Sequence, residues 1–530
     1  GYTLSLVHGE DGGVAGVAFF FKDLTRVEQL EERERLRDRL AALGEMAAAL
    51  AHELKNPLTS LRSAVETLPR AKRPEDAERL HAIIQHDIRR LDRLISDISN
   101  ASRLDAELAR QDMQRVDLEK LVDAIVSIQR DLAAGAVTPG RVKEFYVLTP
   151  LFGAGMFLVV LANNLGVMWL ALEATALSSV LLVALYNRST SLEAAWKYVI
   201  LGSLGLALAL FGTVFTYAAA IDQQSAVELP SFNWSHLMSI SGQLNPHMIK
   251  LAFVFVLVGY GTKAGLAPMH NWLPDAHSEA PSPTSAMLSG VSLKVALYAL
   301  VRFHILTTAS LGTSFSQTLL LVFGVTSMCV AAPFILVQSN LKRLLAYSSL
   351  EHVGLICAGI GLNSRITIFG ALLHMGYHAL AKPVLFFAAG NLHQTCHTLQ
   401  LRRIGPGMAR VLPLTAFCLG LAGVAAVGLP PFGLFFSEIL VLSGGFAAGH
   451  LTATVLLLVA ILASFCGLLY QFARILPGEP KVARRSVPAP LAGAPAMLLL
   501  LGALLVFSVW LPAPLLEVIR QATDIIGGAP

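Results

Sequence analysis

Lys263-Ala264-Gly265-Leu266-Ala267-Pro268-Met269-His270-Asn271-Trp272-Leu273-Pro274-Asp275-Ala276-His277 is the stretch that decides how this chain folds. It closes an apolar run, residues 249–277, long enough to cross a bilayer, which takes about 20 residues. A charged amine at that depth costs at least about 2.5 kcal/mol and persists only when paired, hydrated or used. Gly261 and Pro268 predict an interrupted helix, the arrangement in which freed backbone groups line a buried polar path. Pro430-Pro431 with Gly433 predicts a second interruption in residues 412–446, and Glu438 follows it.

Outward from these breaks, apolar runs recur at roughly 145–162, 165–186, 194–219, 282–303, 316–337, 341–362, 366–391, 451–474 and 489–511, so eleven spans are expected. The composition agrees: 54% of the 530 residues are hydrophobic and 14% charged, with a mean hydropathy of +0.60, against about 25% charged in a soluble domain. Charge is dense in residues 25–122 and sparse after Phe145, so the two parts meet different solvents. Arg141, Lys143, Arg188, Lys342, Arg343, Arg402, Arg403, Arg410 and Arg474 fall on one side of the spans. That side is then cytoplasmic, together with residues 1–143, and a bacterial inner membrane is the expected location. A net charge of +4 from dispersed basic residues gives no argument for nucleic-acid binding.

Ionisable residues inside the spans carry the functional expectation. Glu173 sits mid-span, Lys197 begins the next helix, Lys263 and His270 flank the first break, and Lys294 follows. His374, His378 and Lys382 recur every four residues, one stripe on one helix face. Glu438 closes the series. A lysine beside a carboxylate holds its proton, and one moved away from it in hydrocarbon gives the proton up, so such pairs can relay protons. Each residue singly reads better as a helix-packing or snorkelling group, and their joint occurrence at two breaks inverts that weighting in favour of the relay. Five cysteines, Cys329, Cys357, Cys396, Cys418 and Cys466, include no Cys-x-x-Cys pair. The loop cluster His393, Cys396 and His397 lacks a fourth ligand, so no metal is expected.

Leu172-Glu173-Ala174-Thr175, the Lys263–His277 string, Leu341-Lys342-Arg343-Leu344-Leu345-Ala346-Tyr347-Ser348, and Val427-Gly428-Leu429-Pro430-Pro431-Phe432-Gly433 resemble the proton-pumping, antiporter-like subunits of hydrogenase-4 and respiratory complex I. The phrasing is similar to component F of hydrogenase-4 and to formate hydrogenlyase membrane arms. The resemblance implies that Glu173 with Lys263 forms an input half-channel. Lys294, His374 and His378 would then carry protons along the membrane, and Lys382 with Glu438 would form the output. It also implies that this chain binds no cofactor itself and that nickel–iron or iron–sulfur centres sit on partner subunits. Protons and sodium ions suit such a relay equally. The first span resembles the family's fourth, and kinase-like sequence stands where the first three would be.

In that preceding sequence, a charged helix from Leu30 bears Leu36, Leu40, Leu43, Met46, Leu50 and Leu54 at three-four spacing. A second follows Arg73-Pro74 with Leu80, Ile84, Ile88, Leu91, Ile95 and Ile98. Two such hairpins bury their stripes as a dimeric four-helix bundle. Ala51-His52-Glu53-Leu54-Lys55-Asn56-Pro57-Leu58-Thr59 resembles the dimerisation and phosphoacceptor motif of sensor histidine kinases. The resemblance makes His52 the phosphoacceptor, Glu53 the acid orienting it, and Asn56 a contributor to phosphatase chemistry. It implies a homodimer through residues 25–112 and a response regulator as partner. No Asp-x-Gly-x-Gly or Gly-rich ATP lid follows, so ATP would act only through a kinase domain in trans.

The expected architecture is therefore all-α. A PAS-like remnant occupies 1–24, with Val14–Phe21 as its last strand, and the phosphoacceptor hairpin 25–112. A truncated ATPase start and junction fill 113–143, the helix bundle 144–512, and a C-terminal tail 513–530. Three readings stand: a proton-translocating subunit, a membrane-anchored phosphotransfer protein, and a nonfunctional chimera in which both modules are cut.

Overall fold

The computed structural model describes residues 2–8, 14–21, 139–221, 231–480 and 493–528, in two compact units, Gly1–Val116 and Asp117–Pro530. The expected helical hairpin of residues 25–112, with His52, Glu53 and Asn56, lies outside the described residues. In the first unit, β1 (Tyr2–His8) pairs antiparallel with β2 (Val14–Phe21), Tyr2 opposite Phe21, with an irregularity between Val7 and His8. The strand expected at Val14–Phe21 is present. With its partner it makes, among the described residues, a two-stranded sheet, within the strand or two that the helical reading allows near the N-terminus.

The second unit is helical. Its long elements are α1 (Pro139–Leu161), α2 (Leu165–Val183), α3 (Ser189–Ile221), α4 (Pro246–Ala264), α5 (Trp272–Glu279) and α6 (Ser282–Met287). A π-helical turn, Leu288–Ser292, joins α6 to α7 (Leu293–Leu311). Then come α8 (Ser314–Val337), α9 (Leu341–Gly361) and α10 (Arg365–Cys396). Last are α11 (Pro413–Ala426), α12 (Gly433–Ala447), α13 (Leu451–Ile475), α14 (Ala494–Val509) and α15 (Ala513–Ile526). The tail expected beyond residue 512 thus carries a helix, tied to α10 by Arg365–Asp524 at 2.9 Å.

Among the described residues eight helices are long and apolar enough to cross a membrane, or nine if α14 and α15, bent by 74°, act together. Eleven were expected. The shortfall lies in α10, made polar by Arg365, His374, His378 and Lys382, and in α11 and α12, which are 14 and 15 residues long because a break divides them. Phe157, Leu161, Trp196 and Val337 are exposed on the outer surface, as suits a multi-pass protein solvated by lipid tails.

Two helix pairs pack backbone to backbone. A Cβ on Gly259 of α4 would lie 2.5 Å from Ala209 N and Gly205 O of α3, and Gly324 of α8 meets Gly354 and Ala358 of α9 in the same way. Small residues permit this approach where lipid offers helices no hydrophobic drive to associate.

The breaks share one geometry. At the end of α4, Leu266 N–H donates to Gly261 O (2.8 Å) and Gly265 N–H to Thr262 O (3.1 Å), with Gly265 at φ +80°. At the end of α11, Leu429 N–H donates to Val424 O (3.2 Å) and Gly428 N–H to Ala425 O (3.1 Å), with Gly428 at φ +70°. This double bond pattern satisfies the last carbonyls of a helix and calls for glycine at the left-handed residue. The first interruption therefore falls at Gly265 rather than Gly261. Gly261 stays helical and supplies the capping carbonyl.

Candidate functional site

Lys263 occupies the last turn of α4 and is 1% exposed, where the helix C-terminus favours a cation. Its Nζ donates to Tyr198 Oη of α3 at 2.6 Å and lies 4.9 Å from that ring's centroid. Tyr198 Oη shares a hydrogen bond with Ser179 Oγ of α2 (2.9 Å), and its ring stacks on Trp272 with centroids 4.3 Å apart. Trp272 Nε1–H donates to Thr262 O at 2.8 Å, tying α5 back to the broken end of α4. Glu173 is half-buried on α2 within electrostatic reach of Lys263, yet the amine's direct partner is the tyrosine.

A second cluster joins Lys294 to Glu438. Lys294 Nζ donates to Ser289 O in the π-helical turn and bonds His378 Nδ1 at 2.5 Å. The His378 ring stands edge-on to His352 with centroids 4.7 Å apart. His352 Nδ1 and His374 Nε2 share a hydrogen bond of 2.9 Å, and His374 Nδ1 one of 2.8 Å with Ser437 Oγ, the neighbour of Glu438. Glu438 folds back on the second break, where a Cβ at Gly428 would strike its carboxylate. A parallel branch runs through hydroxyls. Ser289 Oγ pairs with Ser349 Oγ (2.7 Å), which donates to Leu345 O (2.9 Å), and Lys382 Nζ donates to that same carbonyl (3.1 Å).

The π-helical turn explains the meeting at Ser289, because a widened turn presents a carbonyl that an ordinary helix would keep within its own ladder. Lys294, His352, His374, His378, Lys382 and Glu438 are all under 9% exposed. They form a buried polar row across the interior of the helix bundle. A chain of hydrogen-bonding groups of this kind can pass a proton between neighbours without a large movement of backbone.

Two expected residues lie elsewhere. Lys197 is on the surface, its side chain 46% exposed, paired with Glu193 (2.6 Å) and Asp275 (3.1 Å). Asp275 also binds Arg343. Lys197 therefore belongs to a surface ion-pair network and not to the buried row. His270 is buried at the first break with its ring edge-on to Tyr347, centroids 6.4 Å apart, and is not bonded to Lys263.

The sequence reading passed over Tyr198, Ser289, Ser349, Glu351, His352 and Ser437. Glu351-His352 was detectable, since two adjacent ionisable residues inside the apolar run 341–362 carry the same burial cost as Lys263. The hydroxyl residues were not, because serine and tyrosine are ordinary in membrane helices until their neighbours are known. His352, His374 and Glu438 bring ligand atoms within 4.8 Å of one another, a spacing a metal ion could use. Here the two imidazoles are instead bonded to each other.

Residues 162–464 match the family described as NADH:quinone oxidoreductase/Mrp antiporter, TM. Residues 42–107 match the His Kinase A (phospho-acceptor) domain. A hydrogenase-4 component F homolog of Methylacidiphilum infernorum is 39% identical over 354 residues, 67% of this chain and 74% of that protein. F(420)H(2) dehydrogenase subunit N of Methanosarcina mazei is 30% identical over 427 residues, 77% of this chain and 83% of its own length. Among solved structures, a chain of an archaeal membrane-bound sulfane sulfur reductase superposes with a TM-score of 0.67 at 24% identity, covering 90% of this chain and 98% of its own. One of respiratory complex I from Thermus thermophilus gives 0.65 at 25% identity, covering 73% and 79%. The chain belongs to the NADH:quinone oxidoreductase/Mrp antiporter transmembrane family and carries a histidine-kinase phospho-acceptor segment ahead of it.

Proposed function

We propose that this chain is a proton-translocating membrane subunit of a redox-driven complex of the hydrogenase-4 or quinone-oxidoreductase kind. The observation that carries the reading is the buried polar row reaching from Lys294 to Glu438, with Lys263 and Tyr198 at the other break. Burying so many ionisable groups opposes folding, and such groups inside membranes mark ion pathways. Lys263, with Glu173 near it, receives the proton. Lys294, His378, His352 and His374 pass it along the row, and Lys382 with Glu438 forms the far end. The energy comes from nickel–iron or iron–sulfur centres on partner subunits, and this chain supplies none. The eight long helices, with α10, the broken pair α11–α12 and α14, make eleven spans. They lie in a bacterial inner membrane with residues 1–143 in the cytoplasm.

Replacing Lys263 or Glu438 by Ala in the assembled complex, reconstituted in vesicles, stops acidification of the lumen while the complex still purifies intact. Unchanged acidification rejects the reading. Replacing sodium in the buffer by choline separates the two ions, since loss of transport without sodium assigns the sodium ion.

A second reading rests on the phospho-acceptor match at residues 42–107. In it His52 accepts phosphate from a kinase domain in trans, Glu53 and Asn56 assist, the hairpin dimerises, and a response regulator takes the phosphate. Radiolabelled ATP with a separate kinase domain tests this, and absence of label on His52 rejects it.

A further inference from the structure

Glu351 is 5% exposed on α9, and the hydrogen-bonded row from Lys294 to Glu438 does not use it. It directly precedes His352, and neighbouring residues on an α-helix point about 100° apart. His352 joins the imidazoles, and Glu351, on the adjoining side of α9, still reaches the Lys382 and Glu438 end of the row. The groups within its electrostatic reach are Lys382 on α10 and Glu438 on α12, with Ser464 of α13 opposite. The carboxylate lies beside the Ser464 hydroxyl, and its Oε2 makes no hydrogen bond of good geometry.

Lys382 now donates to Leu345 O on the same helix α9, six residues before Glu351. A helix rises about 1.5 Å per residue, and its carbonyls point toward the C-terminus. The amine is within electrostatic reach of the Glu351 carboxylate and is carried on a flexible four-carbon stem. The Leu345 carbonyl is also engaged by Ser349 Oγ, which leads through Ser289 to Lys294. Lys382 accordingly stands between a hydroxyl branch on one side and the buried Glu351 carboxylate on the other.

We infer that Glu351 is a proton-carrying residue at the far end of the path: Lys382 swings from the Leu345 carbonyl to Glu351 and hands it a proton. This rests on the translocation reading above. In the step an Nζ–H bond of the ammonium breaks and an Oε–H bond forms. A charged pair becomes a neutral amine and a neutral carboxylic acid, with no other reactant. The acid then releases its proton on the Ser464 side. Glu438 sets the order of events, because two nearby carboxylates resist carrying charge together. An ionised Glu438 draws the proton onto Glu351, and a protonated Glu438 lets it leave.

The test uses the whole complex in vesicles, with Glu351→Gln, Glu351→Asp, Glu438→Gln and Lys263→Ala. Protons moved per redox turnover are measured by dye quenching, and redox-triggered infrared difference spectra follow carboxylic-acid carbonyl stretches. Glu351→Gln lowers protons per turnover at least tenfold and deletes a carbonyl band that Glu438→Gln retains. Glu351→Asp restores transport and shifts that band, which a packing role would not do. Wild-type transport in Glu351→Gln alongside loss in Lys263→Ala overturns the inference and leaves the translocation reading standing. Wild-type transport in Lys263→Ala overturns both. Where Glu351→Gln does not assemble, an unshifted band in Glu351→Asp overturns the inference.

Discussion

Tyr198→Phe isolates one bond at the first break. The substitution removes the hydroxyl that accepts from Lys263 Nζ at 2.6 Å and pairs with Ser179 Oγ at 2.9 Å. It keeps the ring, so the stack on Trp272 and the amine's position over the ring face survive. A buried hydrogen bond to a charged group is worth about 1.5–3 kcal/mol. If that bond defines where Lys263 waits for its proton, losing it depopulates the position by roughly 10- to 150-fold, at 1.4 kcal/mol per factor of ten. The assay is dye quenching in vesicles under a measured redox rate, which separates transport from electron flow. Transport per turnover falls by at least tenfold while the complex purifies in normal yield. Wild-type transport would refute the assignment of Tyr198 as the residue that positions Lys263, and make the bond a packing detail.

Gly259→Val forces a side chain into the backbone of α3, and should destabilise the subunit by about 3 kcal/mol, the upper end for overpacking. Thermal unfolding in detergent checks this against Gly153→Ala, whose Cβ meets nothing within 4 Å and should change little. Asp275→Asn dissolves the surface network with Lys197 and Arg343. Because both cations are more than a third exposed, the loss should stay under about 1 kcal/mol and shrink further at high salt, as denaturant titration at two ionic strengths would show. His52→Gln, treated with a kinase domain and labelled ATP, should take up no phosphate, and retained label would move the phosphoacceptor elsewhere.

Much of the second unit was legible because lipid imposes one rule: every span must be apolar and helical, and each departure must have a use. Lys263, Lys294, His374, His378, Lys382 and Glu438 were found that way. The rule also explains the errors. Lys197 was counted because it opens an apolar run, but the opening turns of α3 reach the surface, where Asp275 and Glu193 hold it. Gly261 was chosen over Gly265 because both are glycines beside the same proline, and only backbone bonding distinguishes the residue that turns from the one that caps. The hydroxyl branch from Ser289 to Leu345 depends on the π-helical turn, which has no residue signature to read. Among charged groups Glu351-His352 was the real omission, since the burial argument applied to Lys263 applies to it unchanged.

The backbone contact between α3 and α4 constrains how Lys263 can move. Gly205 and Gly259 bring the two helix backbones into close contact, and Tyr198 and Lys263 ride one on each. With the backbones held close, rotation about the bonds of the lysine stem is the shortest way to separate them. Collective shifts of helices take microseconds to milliseconds, whereas side-chain torsions are intrinsically far faster. Under the proposed translocation, the first break would act as a rapid local contact maker, leaving any slow, rate-setting event to another part of the path.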